Sequence, residues 1–221
     1  MSHLSFSSMI QRIEDELASS YGFRIDVSAS ECLTQSEEAM AMATAGDNRA
    51  IMLLRQSPDQ EELQLGLYFR PELMQTLEAH NPLERLDSSN LDAFCVAVEE
   101  VSHFHLVVNR AQAHQGVSRL ELEWQGEIDK WLLAGAFLEK QTGDLHLPQL
   151  TRLIFDGSFC YTTQDQNLYE EAHRLAARYC YKLLPFLQDC PARQRAEKLR
   201  EACRETYGLQ WAGKLKTIDN L

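Results

Sequence analysis

Residues 90–141 read NLDAFCVAVEEVSHFHLVVNRAQAHQGVSRLELEWQGEIDKWLLAGAFLEKQ, and the spacing of their apolar side chains decides the fold. Phe94, Ala97, Val98, Val101, Phe104 and Val108 recur every three or four positions, the period of one face of an α-helix. That stripe predicts a helix over about residues 90–112. Leu120, Trp124, Ile128, Trp131, Gly135 and Leu138 form a second stripe, which continues to about residue 141. The loop around His114-Gln115-Gly116 is short, so the second helix should return antiparallel to the first. Ser118-Arg119-Leu120-Glu121 matches a capping box, and Gly143 is a suitable terminator. Trp124 and Trp131 lie seven apart, hence on one face, and should be buried against the face carrying Val101 and Phe104.

Toward the N-terminus, Phe6, Met9, Ile10, Ile13 and Leu17 predict a helix over 5–20 that Gly22 can stop. Phe23 to Val27 reads as a short strand. The pattern then weakens, with a helix expected from Glu37 to Ala45. Ile51, Met52, Leu53 and Leu54 suggest a strand covered on both faces. Leu63, Leu65, Leu67 and Phe69 alternate with Glu62, Gln64, Tyr68 and Arg70, which suggests a strand with one apolar face. Ser57-Pro58-Asp59-Gln60 between them is turn chemistry, so residues 50–70 read as an antiparallel hairpin. Pro71 can open a helix to about His80.

Toward the C-terminus, Leu147 to Phe155 is compatible with a short helix within an ambiguous stretch, 144–165, and Asp156-Gly157 with a turn. Asp165 can cap a helix over 166–187, with Leu168, Ala172, Leu175, Ala176, Tyr179 and Leu183 inward and Pro185 near its end. Pro191 can open a last helix to about Tyr207, closed by Gly208. The tail carries Trp211, Lys214 and Lys216. The fold expected is α+β and mostly helical: an N-terminal α/β region, 1–81, then an antiparallel, bundle-like helical domain, 82–221.

The chain has 221 residues, 44% of them hydrophobic, enough for a buried core. No apolar run reaches the length of a membrane span, and Met1 to Ser8 lacks a basic region followed by an apolar one. A cytoplasmic protein is the expectation. None of the six cysteines forms a Cys-x-x-Cys pair, which argues against a zinc ribbon or a thioredoxin-like centre. The net charge of −12 divides into −9 over 1–90, −6 over 91–165 and +3 over 166–221. An acidic body does not suit non-specific nucleic-acid binding, which depends on phosphate neutralisation.

Glu100-Val101-Ser102-His103 and Glu170-Glu171-Ala172-His173 share Glu-x-x-His spacing, which places carboxylate and imidazole on one helix face. Glu123 or Glu127, and Glu72 or Glu78, could add further carboxylates. The order acid, Glu-x-x-His, acid, Glu-x-x-His resembles the ferritin-like di-iron and di-manganese bundles. That resemblance implies a metal site at Glu100, His103, Glu123, Glu127, Glu170 and His173, with iron or manganese as cofactor. It covers only those positions, and an N-terminal hairpin is not part of that fold. The plainer expectation is that Glu100 and His103 bond neighbouring side chains and that Glu121, Glu123, Glu127 and Asp129 form a solvated face. His105 reads as a satisfied core histidine. Cys95 and His103 stand eight apart, poorly aligned for a nucleophile and its base.

No Gly-rich phosphate loop, Gly-x-Ser-x-Gly or His-Glu-x-x-His occurs. Arg174, Arg178 and Lys182, followed by Arg193, Lys198, Arg200 and Arg204, form a basic series for an anionic partner. Interleaved Glu197, Glu201 and Glu205 make salt-bridged helix surface the competing explanation. The leading expectation is therefore a non-catalytic cytoplasmic interaction or adaptor protein, without a cofactor. The alternatives are a carboxylate–histidine metal protein, or nucleic-acid binding through Arg174, Arg178, Lys182, Arg200 and Arg204.

Overall fold

A computed structural model describes residues 5–22, 25–57, 62–156 and 166–220. Within them the fold is α+β and mostly helical. The elements are α1 (Phe6–Tyr21), α2 (Glu37–Ala45), β1 (Ala50–Gln56), β2 (Leu63–Phe69), α3 (Pro71–Ala79), α4 (Leu91–Gln112), α5 (Arg119–Thr142), α6 (Leu147–Phe155), α7 (Gln166–Asp189), α8 (Ala192–Tyr207) and α9 (Trp211–Asn220).

Local chemistry explains most boundaries. Ser5 caps α1 by accepting from the Ser8 N–H, and Gly22 ends it at φ +76°, a conformation that favours glycine. Ser118 caps α5 in the same way and Gly143 closes it at φ +82°. Only the serine half of the expected capping box is seen: the Glu121 carboxylate turns inward, to Arg110 at 2.9 Å and Lys214 at 3.1 Å. Asn90 precedes α4 without capping it. Its side chain instead ties the preceding loop, donating to the His80 and Arg85 carbonyls.

β1 and β2 pair antiparallel from Ala50↔Phe69 to Gln56↔Leu63, as the hairpin reading requires, while residues 58–61 of its turn lie outside the described residues. Leu33 bridges to Leu67 on the other side of β2. The second face of the hairpin is not left to solvent. Ala39 and Ala43 of α2 bury Tyr68 there, because small residues on α2 allow a close approach.

Most of the core gathers around α5, which packs against α4, α7, α6, α8 and α1. Trp124 and Trp131 are both buried, as their shared face implies, and the Trp131 indole donates to Thr151 Oγ1 at 2.9 Å. The same cluster takes in Phe6, Ile10 and Leu17 of α1 together with Tyr179 of α7, Leu199 of α8 and Ile218 of α9.

Three elements differ from the sequence reading. Ile25 to Val27 form no strand, and Phe23 and Arg24 lie outside the described residues, as do Gly157 and Asp165. Helix α7 runs past Pro185 to Asp189. The tail forms α9, which the sequence hides because a lysine occupies its inward stripe. Lys214 is fully buried, with its ammonium over the Trp124 and Tyr207 rings and 3.1 Å from Gln125 Oε1. No helix of the described residues is long and apolar enough to cross a membrane.

Candidate metal centre

Helices α4 and α5 are neighbours, and each turns one acid-bearing stretch toward the other. From α4 come Glu99, Glu100 and His103. From α5 come Glu123, Glu127 and Lys130, with Gly126 between the two glutamates. Positions three and four apart share a helix face, so Glu99 and His103 stand together, as do Glu123 and Glu127. One ligand atom from each of Glu99, His103 and Glu123 fits within a 4.8 Å group. Ligand atoms around a four-coordinate zinc stand ~3.4 Å apart, given bonds of about 2.1 Å. A modest contraction of side chains would therefore close this triad on an ion.

The imidazole of His103 is the pivot. The residue is 8% exposed, its Nε2 makes no hydrogen bond, and that nitrogen faces Glu123 Oε2 at 3.5 Å. On the other side Nδ1 lies 3.8 Å from Glu100 Oε2, itself buried without a hydrogen bond. Gly126 makes this placement sterically feasible. A Cβ there would lie 3.1 Å from His103 Nε2 and 3.2 Å from Glu99 Cγ.

Beside the triad stands a second, fully paired group. Lys130 Nζ lies 2.7 Å from Glu127 Oε1 and 2.9 Å from Glu99 Oε2. The other oxygen of Glu127 faces His173 Nδ1 of α7 at 3.3 Å, and His173 Nε2 is 3.1 Å from the Phe155 carbonyl oxygen. Glu99 thus serves both groups. Tyr169 of α7 completes the wall, close enough to Glu123 and Glu99 for burial and their charges together to push its phenol up, while Arg119 hydrogen-bonds to it.

Four carboxylates face one lysine here, and protonation reflects the imbalance. Burial pulls His103 down, but Glu123, Glu100 and Glu99 outweigh it and raise its pKa to about 9. Burial raises Glu123, a shift that the nearby acids reinforce and His103 opposes. Burial also penalises the Glu127 carboxylate, yet Lys130 and His173 hold it well below the ordinary range. Burial pushes the Cys95 thiol up to about 12, which leaves it inert as a nucleophile beside His103.

Of the residues that the sequence nominates, the structure brings together Glu100, His103, Glu123, Glu127 and His173. Glu170 is exposed and accepts from Gln166 at 2.6 Å, away from His173's inward side. Glu78 accepts from the Phe6 N–H and Glu72 is exposed, so neither joins the centre. Glu121, Glu127 and Asp129 are buried instead of solvated. Asp129 accepts from Ser102 at 2.5 Å, from Gln125 at 3.1 Å and from Tyr21, which satisfies it within the core. His105 is a core histidine, as expected, with Nδ1 3.3 Å from the Tyr207 hydroxyl.

Glu99, Lys130, Tyr169 and Gly126 are not among the residues that the sequence nominates. The signal for Gly126 is present: a glycine one turn after Glu123 and next to Glu127, on a helix otherwise rich in bulky side chains.

Most of the basic series reaches acceptors of its own chain. Arg174 pairs with Glu171, Arg178 with Asp219, and Arg200 with Glu16, Glu139 and Glu197. Lys182 donates to the Ile218 and Asp219 carbonyls, and Arg204 to that of Ser20. The chain matches no family model, no curated protein and no solved structure.

Proposed function

We propose that this protein binds a divalent transition-metal ion through Glu99, His103 and Glu123. The observation that carries the reading is that ligand atoms of Glu99, His103 and Glu123 lie within 4.8 Å of one another, with His103 Nε2 buried, without a hydrogen bond and 3.5 Å from Glu123 Oε2. Buried polar atoms are nearly always bonded, so such an atom facing a carboxylate at 3.5 Å without a hydrogen bond calls for an explanation. An ion supplies one, and it would also offset the excess of carboxylate over ammonium charge. One imidazole with two carboxylates is a donor set suited to Mn(II), Fe(II) or Zn(II), not to copper(I) or an iron–sulfur cluster. Three protein ligands leave coordination positions for water or a substrate oxygen, and a bound ion would supply Lewis acidity there.

An adaptor or nucleic-acid-binding role would rest on the basic side chains of α7 and α8, where Arg174 and Arg178 pair with acids of their own chain while staying exposed. The test is metal analysis of protein purified without chelator, then titration of the stripped protein with Mn(II), Fe(II) and Zn(II). One equivalent is expected, retained by Glu170→Gln and lost in His103→Ala and Glu123→Gln. Folded wild type that takes up none of the three ions, or His103→Ala that binds as tightly, would overturn the proposal.

A further inference from the structure

Glu99 is shared between the triad and Lys130, which raises the question of what the lysine replaces. Its Nζ, on a side chain 9% exposed, sits between a carboxylate of α4 and one of α5, at 2.9 Å and 2.7 Å. Behind it, Glu127 leads on to His173. A carbonyl oxygen and a carboxylate only accept, so His173 donates from Nε2 to Phe155 and, while bonded to Glu127, from Nδ1 as well; an ion in the lysine's place would displace the Nδ1 proton. A second-nitrogen hydrogen bond to a backbone carbonyl is how metal-ligating histidines are usually oriented. Apart from the lysine, Glu99, Glu127 and His173 are the donors for a second ion, adjacent to the first and joined to it by Glu99.

We propose that the Lys130 ammonium occupies the second cation position of a two-cation centre, so that the protein takes one metal ion where its donor set could hold two. This rests on the Glu99–His103–Glu123 reading. The lysine supplies the positive charge that lets the partly exposed Glu99 and the buried Glu127 stand side by side, a task a second metal would otherwise perform. Removing one partner of a buried ion pair leaves the other uncompensated, which is strongly unfavourable unless a new cation enters. The site vacated by Lys130 is therefore a latent metal site with its carboxylates and its oriented imidazole already in place.

The experiment counts Mn(II) retained after gel filtration by full-length wild type, Lys130→Arg and Lys130→Ala, with electron paramagnetic resonance to detect coupling between neighbouring ions. Wild type and Lys130→Arg are expected to hold one equivalent as an isolated ion. Lys130→Ala is expected to hold two, with a spin-coupled signal, and to recover thermal stability as Mn(II) is added. One equivalent in both wild type and folded Lys130→Ala overturns the latent site and leaves the triad standing. No Mn(II) in any variant overturns the latent site, and the triad itself then falls only if wild type takes up neither Fe(II) nor Zn(II). Should Lys130→Ala fail to fold even with Mn(II), Lys130→Gln carries the same count, and one equivalent there overturns the inference.

Discussion

His103 and Gly126 face each other across the α4–α5 interface so closely that a methyl group on Gly126 would stand 3.1 Å from His103 Nε2. Alanine at an exposed helix position is worth about 1 kcal/mol over glycine, so Gly126→Ala carries a stabilising backbone contribution. Against it, the imidazole and the Glu99 stem must give way by a few tenths of an ångström. The expected outcome is a protein that melts close to wild type but binds metal at least tenfold more weakly. Calorimetric titration beside a melting curve separates the two effects. Undiminished affinity would show that His103 does not need this spacing to reach an ion.

Trp131 is fully buried on the central helix, and its indole N–H is satisfied by Thr151. Truncating a packed tryptophan typically costs ~3–5 kcal/mol. Trp131→Ala should shift the denaturant midpoint by a large fraction of the total, since domains of this kind hold ~5–15 kcal/mol in reserve. Leu153→Ala, on a side chain 59% exposed, is the contrast and should stay within about 0.5 kcal/mol of wild type. Equal effects from the two would mean that α5 is not the centre of the core.

The two central helices are legible because apolar period, caps and a short loop all point the same way. Burial of the acids on α5 is not. Glu121, Glu123, Glu127 and Asp129 go around the helix, and on a helix with one exposed side some of them would meet water. Here α4, α7, α6, α8 and α1 enclose α5, and enclosure is a tertiary property that periodicity does not encode. The two Glu-x-x-His pairs show the same limit. Spacing places Glu170 and His173 near one face, but only packing decides that His173 turns to Glu127 while Glu170 turns to solvent. Lys214 inverts the usual rule, since its buried ammonium is compensated by Glu121, Gln125 and two rings that lie far away in sequence.

His105 supplies a pH dependence independent of the metal. Burial depresses its pKa to about 4, so the folded chain holds it neutral while an unfolded chain protonates it near 6.5. A depressed base costs nothing above the unfolded value. As pH falls from about 6.5 to about 4 the unfolded state takes up a proton that the folded state refuses, and stability drops by up to about 3 kcal/mol. His105→Gln should flatten that part of the profile. Denaturation of both proteins across this range is the measurement, and parallel slopes would show that His105 titrates normally.

The His103 imidazole must be neutral to bind an ion. In the metal-free chain the surrounding carboxylates keep it protonated up to a pH of about 9, burial notwithstanding. Metal binding near pH 7.5 therefore has to expel that proton, and Glu123, raised by burial, adds a second competition at lower pH. The sign follows directly: affinity rises with pH, by about tenfold per unit while one proton is displaced, and the slope steepens below neutrality. Calorimetric titration of Mn(II) in buffers of different ionisation enthalpy should report about one proton released per ion at pH 7.5. For the metal-free protein the linkage runs the other way. A histidine raised in the folded state contributes stability that is complete below the unfolded pKa near 6.5 and disappears as pH climbs through about 9. Loading with metal should cancel that alkaline loss, because the ion then carries the charge that the proton carried. Binding that is flat with pH and releases no proton would place the ion away from His103.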